Sequence, residues 1–148
     1  MARRNYSELS RRINSDPARR ARVEAYKAEL LTSVTLAELR KHPPQKGYVV
    51  SSFLPEALTA IHDLDPAIPL GFLCEAKEHL RAWRETPAEW VIPQFALANR
   101  ELVELVHAAG KKIMVWTVNG AERMREFAGW GADAIITDET ELLVRSLR

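Results

Sequence analysis

Few side chains in this 148-residue chain are placed to do acid–base, metal or nucleophilic chemistry. Cys74 is the single cysteine, which excludes an intramolecular disulfide and a multi-cysteine metal site. The four histidines are His42, His62, His79 and His107. Three fall on segments that read as helices outside a sheet, and His42 falls in a linker. None is expected at the carboxyl end of a strand, where parallel α/β sheets build their sites. Glu75-Ala76-Lys77 pairs a carboxylate with an ammonium, but at the start of a predicted helix, where Glu75 complements the helix dipole. Asp138 is the one carboxylate expected at a strand's carboxyl end, and capping the following helix is its simplest role. A hard divalent cation needs a cluster of oxygen ligands. No catalytic set and no metal site is legible in these residues.

The elements that would position these groups are clearer. Residues 111–138, KKIMVWTVNGAERMREFAGWGADAIITD, read as strand, helix, strand. Residues 113–118 form an apolar run rich in β-branched side chains, as in a strand buried on both faces. Asn119 and Glu122 stand at capping-box spacing, and Met124, Phe127 and Ala128 repeat at helical spacing. Gly129 and Gly131 end that helix, and residues 134–137 begin the next buried strand. Sequential strand, helix and strand predict parallel strands.

The same cadence runs back to Gly47. Strands are predicted over 48–52, 70–73 and 90–92. Helices are predicted from Pro55 to about 63, over 75–84, and from the Asn99 cap to Gly110, with Leu102, Val103, Val106 and Ala109 inward. A last helix should follow an Asp138 cap with Glu141 at capping-box spacing. This makes five strand-like segments, all within residues 45–148.

Residues 1–44 differ in kind. Residues 1–41 hold ten Lys/Arg against five Asp/Glu, whereas residues 42–148 hold eleven against fifteen. Such an asymmetry predicts two parts: a basic helical extension over 1–44 and an α/β part over 45–148. In the extension, residues 5–13 suit a short helix, and Asp16-Pro17 starts a second. Val23, Tyr26, Leu30 and Val34 form a narrow apolar stripe on it. The run Thr32-Ser33-Val34-Thr35 weakens helix propensity, so a fresh helix is expected from Thr35, ended by His42-Pro43-Pro44. No apolar run approaches the roughly 20 residues that span a bilayer. No export signal is visible in MARRNYSELSRRI, so the reducing cytoplasm is the expected compartment.

Residues 46–145 resemble the C-terminal half of a glycerophosphodiester phosphodiesterase, an eight-stranded (β/α) barrel. Val49-Val50-Ser51-Ser52-Phe53 followed by Pro55-Glu56-Ala57-Leu58 resembles the family's fifth strand and its helix. Pro69-Leu70-Gly71-Phe72-Leu73 resembles the sixth strand. His107-Ala108-Ala109-Gly110 leading into Val115-Trp116-Thr117-Val118-Asn119 resembles the seventh, and Gly131-Ala132-Asp133-Ala134-Ile135-Ile136-Thr137-Asp138 the eighth. The resemblance implies a partial, half (β/α) barrel of parallel strands preceded by a helical extension. It also implies that Phe53 and Trp116 line the glycerol side of a substrate pocket. If Trp116 points into the barrel, Met114 and Lys112 do too, while Ile113 and Val115 pack under helices.

The family's divalent cation, such as Mg²⁺ or Ca²⁺, and its acid/base histidines come from its first four strands. Their motifs are a His-Arg-Gly, a Glu-x-Asp, a His-Asp and a Glu-x-Lys. The first three are absent here, and the Glu-x-Lys at Glu75 follows a sixth-strand-like segment. No catalytic residue, no metal ligand and no cofactor is therefore expected. The reading that follows is a non-catalytic binding or self-associating module, paired with itself or covered by its N-terminal helices. An alternative is a phosphodiester hydrolase active with a partner that supplies a complementary half-barrel.

Residues 1–41 also resemble the leading arm of phage-repressor-type helix-turn-helix proteins and antitoxins, at Tyr6, Leu9, Asp16, Pro17, Arg19, Arg20, Val23 and 36–40. Where a recognition helix should follow Lys41, the chain has HPPQKGYVV. The second alternative is accordingly a regulator whose basic arm makes weak, salt-sensitive contact with nucleic acid or a protein.

Overall fold

A parallel five-stranded sheet organises the larger part of the computed structural model, which describes residues 16–44 and 47–148. The candidate helix over 5–13, with Tyr6 and Leu9, lies outside the described residues. Two compact units are present, Met1–Gln45 and Lys46–Arg148.

In the first unit, helix α1 (Pro17–Lys41) starts where Asp16 and Pro17 dictate. The Asp16 carboxylate accepts hydrogen bonds from the Ala18 and Arg19 N–H groups at 3.0 and 3.3 Å, satisfying donors that an open helix end leaves free. The expected break at Thr35 is absent, and one helix runs through it. The Ser33 hydroxyl donates to the Leu30 carbonyl at 2.9 Å, a back-bond inside the helix that leaves its run unbroken. Pro43 and Pro44 prevent continuation beyond the cap at His42. Tyr26, Leu30 and Val34 are exposed, whereas Thr32 and Leu36 are buried.

In the second unit the elements alternate. They are β1 (Val50–Ser52), α2 (Pro55–Leu64), β2 (Leu70–Cys74), α3 (His79–Ala82) with a 3-10 turn at Trp83–Glu85, β3 (Trp90–Pro93), α4 (Arg100–Ala108), β4 (Lys112–Val115), α5 (Ala121–Gly129), β5 (Ala134–Ile135) and α6 (Thr140–Ser146). Every adjacent pair is parallel, with Ser51 opposite Gly71, Phe72 opposite Val91, Val91 opposite Ile113 and Met114 opposite Ala134. Strand order follows chain order without reversal. That is the order of a barrel wall; a doubly wound sheet reverses at a switch point.

Side-chain alternation assigns the two faces. Leu70, Phe72, Cys74, Val91, Pro93, Ile113 and Val115 are buried. They form the helix-facing core with Leu58 and Ile61 of α2, Val103 and Val106 of α4, and Met124 and Phe127 of α5. On the opposite, inner face, Val49, Ser51, Trp90, Ile92, Met114 and Ile136 line a cavity of about 470 Å³. Gly71 belongs to this face, where a Cβ would collide with Ile92 Cδ1 and press on Val49 Cγ1.

Two elements differ from expectation. The helix predicted over 75–84 shortens to α3, because the turn before it is built from i→i−3 bonds: His79 to Ala76, Leu80 to Lys77 and Arg81 to Glu78. Ala109, expected inward, is exposed where α4 ends before Gly110 at φ 72°.

Candidate functional site at the carboxyl ends of the strands

The carboxyl ends of β1 and β4 bring Phe53 and Trp116 together. Their ring centroids lie 6.0 Å apart at 68°, an edge-to-face contact. Trp116 is held from behind: its indole N–H donates to the Ile92 carbonyl at 2.9 Å. Its backbone N–H donates to Pro93, and its carbonyl accepts from the Phe95 N–H. Trp116 therefore continues the β3–β4 ladder past Val115, through a single bridge to Gln94. Phe53 keeps 38% of its surface open. The chain turns beside it because the Ser52 hydroxyl accepts the Leu54 N–H at 3.0 Å.

Asn119 does not cap α5, whose cap position is Gly120 with no side-chain bond. Its side chain reaches across to the loop after β5. Asn119 Oδ1 accepts from the Asp138 N–H at 3.0 Å and the Thr137 hydroxyl at 3.1 Å, and Nδ2 donates to Asp138 Oδ2 at 2.9 Å. Asp138 likewise does not cap α6, where Glu139 holds the cap position. The reason is adjacency. The two loops leave neighbouring parallel strands, and Val118 N–H already donates to the Ile136 carbonyl, so the side chains meet before either reaches its own helix. This clasp was hidden from capping-box spacing, which weighs only partners within one turn.

The remaining reactive groups point elsewhere. Cys74 ends β2 but faces the helix layer, and burial pushes its thiol up to about 12, so it is no nucleophile. His79 opens α3 with its ring against Phe72, and its Nδ1 accepts the Glu75 N–H at 3.3 Å. Glu75 and Lys77 are exposed. His107 sits at the opposite, amino end of the sheet, where its Nε2 lies 2.9 Å from Asp133 Oδ2. That carboxylate oxygen also accepts the Ile113 N–H at 2.8 Å. Burial pushes the Asp133 carboxyl up, but the Ile113 bond, His107 and the Lys112 charge outweigh it and hold the group below its ordinary range.

The carboxylates placed at the rim, Glu75 after β2 and Asp138 after β5, are separated by two strands. Among the described residues no group of three or more His, Cys, Asp or Glu side chains could hold a metal ion. One Asp138 oxygen is already bonded to Asn119. These residues do not fit a hard divalent cation, which takes about six oxygen ligands. Among the described residues no helix is long and apolar enough to cross a membrane.

The chain is similar to known proteins over most of its length. The glycerophosphodiester phosphodiesterase of Bacillus subtilis (strain 168) is 29% identical over 110 residues, covering 70% of this chain and 38% of that protein. The glycerophosphodiester phosphodiesterase of Caldanaerobacter subterraneus subsp. tengcongensis is 28% identical over 112 residues, covering 74% and 46%. A solved structure from Silicibacter pomeroyi DSS-3 bearing the family's name superposes with a TM-score of 0.75 at 27% identity, over 89% of this chain and 47% of its own. An Oleispira antarctica phosphodiesterase, solved with the product sn-glycerol-3-phosphate, superposes at 0.69 with 21% identity, over 78% and 48%. The chain thus spans half or less of the length of these relatives. The model of the Glycerophosphoryl diester phosphodiesterase family matches residues 8–142, which takes in α1 as well as the sheet. With nearly the whole sequence inside that match, the chain belongs to the glycerophosphoryl diester phosphodiesterase family.

Proposed function

We propose that the Phe53–Trp116 rim forms the glycerol-facing wall of a glycerophosphodiester-binding site, in a chain that binds such compounds without hydrolysing them on its own. The edge-to-face pair carries this reading. Trp116, anchored on Ile92 and braced by Phe53, presents a rigid aromatic surface at the carboxyl end of the wall. A glycerol backbone offers C–H groups to such a surface and hydroxyls to polar neighbours. The Oleispira relative, solved with sn-glycerol-3-phosphate, gives the class of ligand to try first.

Hydrolysis needs charge neutralised on the phosphate, an activated water and a proton for the leaving group. The rim offers Glu75, Gln94, Thr137 and Asp138; the nearest histidine, His79, packs its ring on Phe72 and uses its Nδ1 to accept the Glu75 N–H. Titration calorimetry with sn-glycerol-3-phosphate and glycerophosphocholine tests binding, with and without Mg²⁺ or Ca²⁺. Heat of binding that is lost in Phe53→Ala and Trp116→Ala supports the reading. Release of glycerol 3-phosphate by the purified chain overturns its non-catalytic part.

A second reading is favoured by length. The solved relatives are about twice as long as the aligned region, with coverage of 47% and 48%. A complementary half-barrel, carrying the metal and acid/base groups, would make this chain one wall of a hydrolase. Activity that appears only when the first half of a family member is added in trans would support it.

A further inference from the structure

The Gln94 carboxamide uses only half of its hydrogen-bonding capacity. Val91 and Pro93 of β3 are buried under the helices and Ile92 lines the inner-face cavity, so the period of two places Gln94 on the same side of the sheet as Ile92. The chain then turns, with the Leu97 N–H donating to the Gln94 carbonyl at 2.9 Å. Inside this turn Gln94 Oε1 accepts the Ala96 N–H, also at 2.9 Å. A backbone N–H only donates, so this bond fixes which end of the amide is oxygen and which is nitrogen. Nε2 carries two donors and makes no hydrogen bond to any of the described residues. The side chain is half-buried.

Its neighbours define what those donors meet. Gln94 and Trp116 are paired by the bridge that joins the ends of β3 and β4. The Trp116 indole N–H reaches the Ile92 carbonyl, two residues before Gln94, so the aromatic plate and the amide lie on the same strand end. Carboxylates flank them. Glu75 follows Cys74, whose register partner is Pro93, and therefore stands beside Gln94; Asp138 follows β5 on the other side of β4. Negative charge on both sides disfavours a phosphate oxygen at Gln94. A neutral hydroxyl suits the position better, because it accepts from Nε2 and keeps its own proton to give to a carboxylate.

We propose that Gln94 determines specificity at this site: its Nε2 donates to a hydroxyl oxygen of a polyol lying on the Trp116 ring. The inference rests on the Phe53–Trp116 reading and adds what an aromatic pair lacks. Rings take C–H groups and distinguish glycerol poorly from a propyl chain, whereas a directed N–H donor selects the ligand that carries the hydroxyl.

Titration calorimetry with sn-glycerol-3-phosphate and with propyl phosphate, which has the same charge and neither hydroxyl, provides the test. Gln94→Met keeps the side-chain length and neutrality and has no donor. It should weaken sn-glycerol-3-phosphate by about fivefold to tenfold, the worth of one net hydrogen bond, and leave propyl phosphate within about twofold. A purely structural role would weaken both ligands alike. If Gln94→Met fails to fold, nuclear magnetic resonance on glutamine labelled at its side-chain nitrogen reads the same contact. The chain has two glutamines, Gln45 and Gln94, so Gln45→Ala leaves one side-chain amide signal pair. That pair should shift with sn-glycerol-3-phosphate and stay in place with propyl phosphate. Equal weakening of both ligands, weakening of neither, or a Gln94 signal that ignores sn-glycerol-3-phosphate overturns the proposal. A wild-type chain that binds neither ligand overturns the aromatic-pair reading and this one with it. Loss of binding in Trp116→Ala, with Gln94→Met still at wild-type affinity, overturns this one alone.

Discussion

Asn119 and Asp138, nineteen residues apart, are joined side chain to side chain at 2.9 Å across the carboxyl ends of β4 and β5. The same amide accepts the Asp138 N–H and the Thr137 hydroxyl, so one residue ties the Trp116 loop to the loop after the last strand. Thr137 extends the network by accepting the Glu139 N–H at 2.9 Å.

Asn119→Ala removes three hydrogen bonds at a solvent-exposed position and should lower stability by about 1–2 kcal/mol, at the usual net value of such bonds. Asn119→Asp replaces the Nδ2 donor with an oxygen facing the Asp138 carboxylate. It should cost more than the alanine at pH 7, and the gap between the two should narrow in acid. Thermal melts of both variants from pH 7 to pH 4 check this. Equal melting temperatures at pH 7 would show that the clasp is not electrostatic.

Trp116 separates anchoring from ring contact. Trp116→Phe keeps an aromatic beside Phe53 but leaves the Ile92 carbonyl without its side-chain donor, at about 1 kcal/mol in stability. Trp116→Ala also removes the edge-to-face pair, worth about 0.5–1.5 kcal/mol beyond area burial. The expected order of affinity for sn-glycerol-3-phosphate is wild type, then Phe, then Ala, with Ala weaker by about tenfold (about 1.4 kcal/mol). Calorimetric titration reads the order directly.

Asp133 makes the amino end of the sheet acid-sensitive. Its folded pKa lies below the ordinary 3.8, so the folded state binds its proton less readily than the unfolded state. The resulting stabilisation is fully present above the ordinary value and is lost as pH falls through the depressed one. Asp133→Asn should therefore flatten the stability profile below about pH 5. His107→Ala should shrink the acid-dependent loss, because it removes one of the groups that hold the carboxyl down and so narrows the gap between folded and unfolded pKa. Urea midpoints between pH 2.5 and pH 6 provide the measurement.

Cys74 should be silent in the native protein. With its thiol buried and pushed up to about 12, its thiolate fraction at pH 8 is about one in ten thousand. Dithionitrobenzoate should label fewer than one thiol per chain over an hour under native conditions, and one per chain within minutes in guanidinium. Rapid native labelling would mean that β2 opens to solvent.

Gly71 tests the packing of the inner face. A Cβ there meets Ile92 Cδ1 and Cγ1 and Val49 Cγ1, so Gly71→Ala should destabilise by about 1–3 kcal/mol through overpacking. Ile92→Val removes the colliding Cδ1, and the double variant should be more stable than the sum of the single effects predicts. Denaturant unfolding of the four proteins closes the cycle.

Much of the fold is legible from short-range pattern. Caps at Asp16 and Asn99 and the proline start at Pro55 depend on residues within one helical turn, and each begins the helix where its chemistry requires. Alternation in residues 112–116 likewise sends Ile113 and Val115 under the helices and Met114 to the inner face, because a strand's side chains have period two. Asn119 and Asp138 satisfied the same local spacing rule and obeyed a longer-range one, since the sheet places their loops side by side. The pairing of Phe53 with Trp116, of His107 with Asp133 and of Asn119 with Asp138 spans 63, 26 and 19 residues. Periodicity carries no term for such distances. Sequence alone determined which residues form strands and which face of each is apolar; which side chains meet at the rim was decided by the order of strands in the folded sheet.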